Sequence, residues 1–360
     1  MNLPDTMRAM VTMGHGGLEQ MVFYENWPRP DPAPGEVLIR VRACGLNNTD
    51  VNTRSGWYSK TVTEATTGGA FDEVGKEDPT WGGAPITFPR IQGADVCGEI
   101  AAVGEGVSEG RIGERVITDN WLRDPSDPLN TNKTGYFGSE RDGGFAEFTT
   151  IPAENAVPVN SGLSDAELAT FSCSYSTAEG MLMRAAVTAS DTVLVPGASG
   201  GVGSALVQLA KRCGARVIAL ASEAKHDDVR ALGADVVLPR APENLRDALK
   251  AEKVTVAADV VGGPNWSAVI DVLERGGRYT CSGAIAGPVV EFDLRTFYLR
   301  DLTLTGSTVI DPEVMPNLVR YIEASEIRPV LAATYPLEEL REAQAAFIEK
   351  RHTGNIVVTP

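Results

Sequence analysis

Apolar positions along the chain fall into two textures. Up to about residue 155 they come in short alternating runs such as Glu36–Arg42 (Glu-Val-Leu-Ile-Arg-Val-Arg), punctuated by Pro and Gly. Alternation of this kind predicts short strands, and so a β-rich region. From about Pro158 apolar runs alternate with stretches of helical period. That predicts βαβ units and a parallel sheet. Strands are expected at Thr192–Val195, Arg216–Leu220, Asp235–Leu238, Thr255–Val261, Arg278–Ser282 and Leu302–Val309. Helices are expected over Ala205–Cys213 and Lys225–Leu232, each followed by a glycine, Gly214 and Gly233, where a C-terminal cap belongs. A helix over Leu337–Lys350 and a strand at Asn355–Val358 close the pattern. The polar, aperiodic stretch from Ser59 to Arg90 is too long for a plain connection, so it is either an ordered functional loop or a mobile lid.

Composition narrows the class. A chain of 360 residues exceeds the usual single core, so two domains are expected. Hydrophobic content of 43% and charged content of 22% are those of a soluble globular protein. The longest apolar runs are far short of a bilayer span. Met1-Asn2-Leu3-Pro4-Asp5 lacks the basic head and apolar stretch of a secretory signal, which leaves the cytoplasm as the expected location. A net charge of −16 repels phosphate backbones, and no Lys/Arg run offers nucleic acid a basic stripe. Cys44, Cys97, Cys173, Cys213 and Cys281 are odd in number, scattered and without a Cys-x-x-Cys pair. Neither a disulfide framework nor a structural zinc cluster is suggested.

The strongest local signal is Val193-Leu194-Val195-Pro196-Gly197-Ala198-Ser199-Gly200-Gly201-Val202-Gly203-Ser204-Ala205. A β-branched strand runs into a Gly-rich turn and then an apolar helix, the context of a dinucleotide-binding fingerprint. Gly200 would let backbone approach a pyrophosphate, Gly203 would let helix and strand pack closely, and N–H groups at the helix start would face the anion. Ala198 stands where the fingerprint has its first Gly, and the bare alternative is a structural turn. The next strand ends Leu220-Ala221-Ser222-Glu223-Ala224-Lys225. NAD binders place an acid at that tip to hold the ribose 2′-hydroxyl. Here Ser222 can donate a hydrogen bond and Lys225 a charge to a 2′-phosphate, which favours NADPH. Glu223 keeps NADH open, and Lys225 as a solvated helix-start residue is the bland alternative.

With these motifs in order, the chain resembles the medium-chain dehydrogenase/reductase superfamily. Supporting pieces are Gly93-Ala94-Asp95-Val96-Cys97-Gly98, Gly143-Gly144-Phe145-Ala146-Glu147, Ala231-Leu232-Gly233-Ala234-Asp235 and Gly354-Asn355-Ile356-Val357-Val358. The resemblance implies an α/β fold: a GroES-like β-rich catalytic domain (1–157 and 312–360) and a Rossmann doubly wound parallel sheet domain (158–311). Zinc members of the superfamily carry a Cys-x-x-Asp motif, a Gly-His-Glu motif and a further ligand. Here Asn47 occupies the first ligand place and Ala94 the second, while Cys173 alone coincides with a ligand position. Cys44 is a decoy in this alignment, and His15, His226 and His352 lie outside the motifs. No cysteine falls in 120–142, where a structural zinc lobe would need four. No zinc is expected, because one soft ligand cannot hold Zn²⁺ tightly.

The remaining motif, Asn47-Asn48-Thr49-Asp50 through Arg54-Ser55-Gly56-Trp57-Tyr58, is similar to that of the zinc-free quinone oxidoreductases. The resemblance implies that Asn47 points its amide at nicotinamide or substrate oxygen and that Tyr58 lines the pocket. It implies cofactor contacts at Asn47, Thr177, Ala198, Ser199, Gly200, Gly201, Val202, Gly203, Ser222, Lys225, Ser282 and Gly283. Tyr58 as a packing residue and Asn47 as a turn residue are the bland alternatives. Asn52, where the family often has an aromatic residue, and the long 59–90 segment leave the substrate open. Without a Lewis acid a simple ketone loses its main electrostatic help, whereas a conjugated acceptor spreads the charge. A quinone or α,β-unsaturated carbonyl is the expected substrate, with Asn47 holding the oxyanion and Tyr58 or water delivering the proton. Acyl-CoA is disfavoured by Glu64, Asp72, Glu73, Glu77 and Asp78 against Lys60, Lys76 and Arg90. The rivals are a zinc alcohol dehydrogenase using Cys44, Asp95 and Cys173, and a cofactor-binding protein with little turnover. Leu302–Ile310 reads as an apolar sheet edge whose pairing with its twin would make a homodimer.

Overall fold

A computed structural model describes residues 3–69, 71 and 85–360. Asp72, Glu73, Lys76, Glu77 and Asp78 therefore lie outside the described residues.

Six parallel strands build one sheet: Thr192–Pro196, Arg216–Ala221, Val236–Pro239, Val254–Asp259, Leu273–Cys281 and Thr303–Gly306. In chain order their positions across the sheet run third, second, first, fourth, fifth, sixth. A parallel sheet buries both faces. Accordingly Val193, Val195, Val217 and Ala219 join one core, while Leu194, Ile218 and Leu220 join another with Trp266 and Tyr279. Strand order reverses between the first and fourth strands, and ligands of such sheets bind outside the carboxyl ends at that point.

The second sheet centres on Glu36–Gly45, which pairs antiparallel with Asp95–Val103, Phe148–Pro152 and Asn355–Thr359. The last of these is the C-terminal strand, so the chain returns to the first sheet after completing the parallel one. On the way it passes the phosphate turn, bridging Gly200 to Gly354.

Several element ends differ from expectation for local reasons. The helix expected over Ala205–Cys213 runs Gly201–Arg212, because the glycine turn itself supplies its first residues. Gly214 (φ +82°) and Gly233 (φ +112°) do end their helices with positive φ. The fourth strand stops at Asp259, whose carboxylate accepts from the Val261 and Gly262 N–H groups and turns the chain. The edge strand is Thr303–Gly306, shorter than Leu302–Val309, because Arg184 takes the Gly306 and Val309 carbonyls. The C-terminal helix begins as a 3₁₀ turn, Leu337–Glu339, and continues as Leu340–Ile348. Within the 59–90 stretch, Trp57 Nε1 donates to Glu64 O and Thr66 N to Ile285 O, carrying the chain across to the parallel-sheet side. Fully buried Arg54 fastens the same stretch by donating to the Gly16 and Gly68 carbonyls and to Gln344. No helix among the described residues is long and apolar enough to cross a membrane.

Candidate active site

The turn after the first parallel strand divides into packing and accessible positions. Ala198 and Gly203 are buried, whereas Ser199, Gly200, Gly201 and Val202 stay accessible. A β-carbon on Gly203 would stand 2.2 Å from Gly197 O, so only glycine allows this helix to approach the strand. A β-carbon on Gly200 would meet nothing nearer than Gly197 O at 3.6 Å, so that side of the turn is open. Helix Gly201–Arg212 starts at Gly200 with no side-chain cap, which leaves its first N–H groups for an anion. An open, uncapped, glycine-lined helix start suits a dinucleotide pyrophosphate. Ser282 and Gly283 follow the fifth strand at the same carboxyl edge, where Ser282 N donates to Asp259 O. Ser222 caps nothing with its side chain, and Lys225 Nζ donates to Lys350 O and His352 O.

At the other end of the crevice, Asn47 begins helix Asn48–Ser55 in an extended conformation. Its backbone N–H donates to Asp50 Oδ2 at 2.7 Å, and Asp50 Oδ1 accepts from Gly93 N at 3.2 Å. The Asn-x-x-Asp spacing thus closes one helical turn and ties it to Gly93-Ala94-Asp95. Asn47 Nδ2 is buried yet forms no hydrogen bond. The Asn47 side chain interacts with the Asp95 carboxyl and favours its ionised form, short of a full hydrogen bond. A buried donor without a full hydrogen bond is costly, and a ligand oxygen would satisfy it.

Around Asn47 the walls are polar and nearly dry. Asp95 Oδ1 accepts from Asn120 Nδ2 and from Cys173 N, each at 2.9 Å. Burial pushes the Asp95 carboxyl up to about 6 and Asp50 up to about 7. The Cys173 thiol is pushed up to about 12 by burial and then by Asp95, so it is neutral at physiological pH. Between Phe171 and Gly180 only Cys173 and Thr177 keep partial exposure. They stand one turn apart on helix Ser172–Arg184 and so face the crevice together. Tyr58 keeps 38% of its surface, yet the protein atoms around it raise the phenol pKa, with Asn52 opposing. That combination fits a ring at the mouth and a hydroxyl looking inward.

Asn47 and Tyr58 therefore stand near Asp95 and Cys173 at one end, with Thr177 one turn along the helix from Cys173, and the glycine turn with Ser222 and Lys225 at the other. Residues that sequence reasoning missed stand beside them. Asn120 immediately precedes the two-residue strand Trp121–Leu122 and Tyr136 ends its partner Gly135–Tyr136, strands too short to leave a pattern. Arg240, Lys350 and His352 lie near Lys225, and the last two belong to a Lys350-Arg351-His352 run that was the one available signal. Among the described residues no three His, Cys, Asp or Glu side chains are placed to hold a metal ion, so Cys44, Asp95 and Cys173 make no such site.

Comparison with known proteins finds relatives along nearly the whole chain. Residues 33–161 match the alcohol dehydrogenase GroES-like domain, and residues 201–324 match the zinc-binding dehydrogenase family. The chain is 28% identical to an acryloyl-coenzyme A reductase of Metallosphaera sedula, over 98% of this chain and 100% of that one. It is 27% identical to a quinone oxidoreductase of Homo sapiens, over 98% and 97%. The crystal structure of a putative alcohol dehydrogenase from Sinorhizobium meliloti 1021 superposes with a TM-score of 0.90 at 46% identity, covering 99% of this chain and 98% of that one.

Proposed function

The chain belongs to the medium-chain dehydrogenase/reductase superfamily, as an NAD(P)-dependent oxidoreductase, and we propose that it reduces a quinone or α,β-unsaturated carbonyl with NADPH and without catalytic zinc. One observation carries the reading: where zinc members hold their first ligand, this chain buries the unbonded donor Asn47 Nδ2. An amide nitrogen is a poor metal ligand and a good partner for an oxyanion. Residues 158–311 are assigned to cofactor binding, and 1–157 with 312–360 to the substrate side.

When bound, NADPH supplies the hydride. The chain's own residues do the rest. Asn47 Nδ2 donates to the acceptor oxygen on which charge develops. Tyr58, held protonated by its surroundings, releases a proton inward, or water does so in its place. Thr177 and Cys173 line the nicotinamide end, and the Ser199–Val202 backbone seats the pyrophosphate. Relatives named for acryloyl-coenzyme A and for quinones both act on conjugated acceptors, which supports the reaction class while leaving open the size of the group attached. The test is NADPH oxidation with matched pairs, an enone against its saturated ketone and a quinone against a simple aldehyde. Turnover of the conjugated member of each pair is expected, and preference for the saturated ketone or the aldehyde would overturn the reading.

A homodimer is also proposed. Exposed Val289, Leu294, Tyr298 and Leu299 lie just before the edge strand Thr303–Gly306, and a twin strand would cover that apolar margin. A monomer in sedimentation at micromolar concentration would contradict it.

A further inference from the structure

The C-terminal segment brings a second set of cations to the crevice. Gly354 N donates to Ser199 O at 2.9 Å, which lays this segment against the phosphate turn. From the tip of the second strand, Lys225 Nζ reaches Lys350 O at 2.7 Å and His352 O at 2.5 Å. Lys350 Nζ lies 2.9 Å from Asn48 Oδ1 and 3.6 Å from the centre of the Phe347 ring. Arg240 directly follows the third strand, whose Pro239 pairs with Ala221 beside Ser222, and its charge acts on Lys225.

Three cations thus surround the carboxyl edge where the second strand ends. Lys133 and Lys211 have carboxylate partners in Asp124 and Asp235, whereas Lys60, Lys250 and Lys253 form no ion pair among the described residues. Lys225, Arg240 and Lys350 have no ion pair of that kind among the described residues. The acid that acts on Lys225, Asp228, accepts a hydrogen bond from Thr353 Oγ1 at 2.8 Å. Like charges packed together repel. Burial first, and then the charge of Lys225, push the Lys350 ammonium down to about 7. Lys225 spends two of its three N–H donors on carbonyls and keeps one.

We propose that Lys350 and Arg240 join Lys225 as ligands of the 2′-phosphate of NADPH, with Lys350 carried in by the C-terminal segment. The inference rests on the NADPH reading above and extends it to residues from two further parts of the chain. A phosphate seated among the three would turn mutual repulsion into charge-assisted hydrogen bonds. Selection of NADPH over NADH would then depend on the fold of residues 350–354 as much as on the second strand.

The test is calorimetric binding of 2′,5′-ADP and of 5′-AMP, which differ only in that phosphate, to the full-length protein. The wild type should prefer 2′,5′-ADP. Lys350→Met and Arg240→Met should each weaken 2′,5′-ADP about tenfold, a cost of about 1.4 kcal/mol, and leave 5′-AMP binding and the melting temperature unchanged. Lys350→Arg should keep most of the preference. If both variants retain the wild-type preference, or lose both ligands equally, the clamp is wrong while the NADPH reading stands. If the wild type itself shows no preference, the NADPH reading falls and the clamp with it.

Discussion

The two ends of the crevice solve opposite electrostatic problems with different parts of the chain. At one end Asn47, Asp50, Asp95, Asn120, Tyr136 and Cys173 are packed with little water, and burial drives their titratable groups toward neutrality. At the other, Lys225, Arg240 and Lys350 stand together without carboxylate partners among the described residues. A dinucleotide needs both: fixed cations for its phosphates, and a low-dielectric end where one well-aimed donor is worth more than in water. On the proposed zinc-free reading, the contrast teaches that an arranged polar end with an unbonded amide stands at the position a zinc ligand would hold.

The contrast can be broken most severely at Asn47. An Asn47→Ala variant should lose about a hundredfold in kcat with a conjugated acceptor, the usual cost of removing one oxyanion donor. NADPH binding should change little, and stability should fall only by about 1 kcal/mol, because Nδ2 has no bond to lose while the side chain completes a capping box with Asp50. Steady-state kinetics with thermal melting checks both halves. Full turnover would leave Asn47 a turn residue.

The next effect separates packing from contact within the phosphate turn. Gly203→Ala places a methyl carbon against Gly197 O and should destabilise the fold by roughly 1–3 kcal/mol, read as a lower melting temperature. Gly200→Ala enters open space, so melting should stay unchanged while NADPH binding weakens by about tenfold. Equal melting temperatures for the two variants would contradict the division.

The smallest effect expected is on pH dependence. Asp95 and Asp50 have raised folded pKa values, so each favours the fold fully below its unfolded value near 3.8 and ceases to do so as pH rises through about 6 and 7. Their ionisation also opposes an oxyanion nearby. Turnover should therefore decline a few-fold as pH rises across that window. Asp95→Asn, which keeps an acceptor for Asn120, should flatten both the turnover profile and its share of the stability profile. Identical profiles for wild type and variant would remove Asp95 from the account.

What could be read from the sequence followed the range of the contacts involved. Gly200 and Gly203 were legible because turn, strand and helix are contiguous, and a local rule states what each glycine does. Asn47 was legible through the Asn-x-x-Asp spacing, which closes one helical turn. Asn120 and Tyr136 left no trace, since strands of two residues have no period. Lys350 and Arg240 could not be placed, because only the sheet order and the returning C-terminal strand bring them to Lys225. The edge strand was read too long because Arg184, distant in sequence, takes the carbonyls that an extended strand would have offered.

The most direct test of the central claim is NADPH-dependent reduction of an enone after exhaustive chelation, with metal content measured on the same sample. The account predicts unchanged turnover and no stoichiometric zinc. Turnover that falls with chelation and returns with added zinc would contradict it, and would mean that this crevice gathers a metal site from residues other than those its motifs supply.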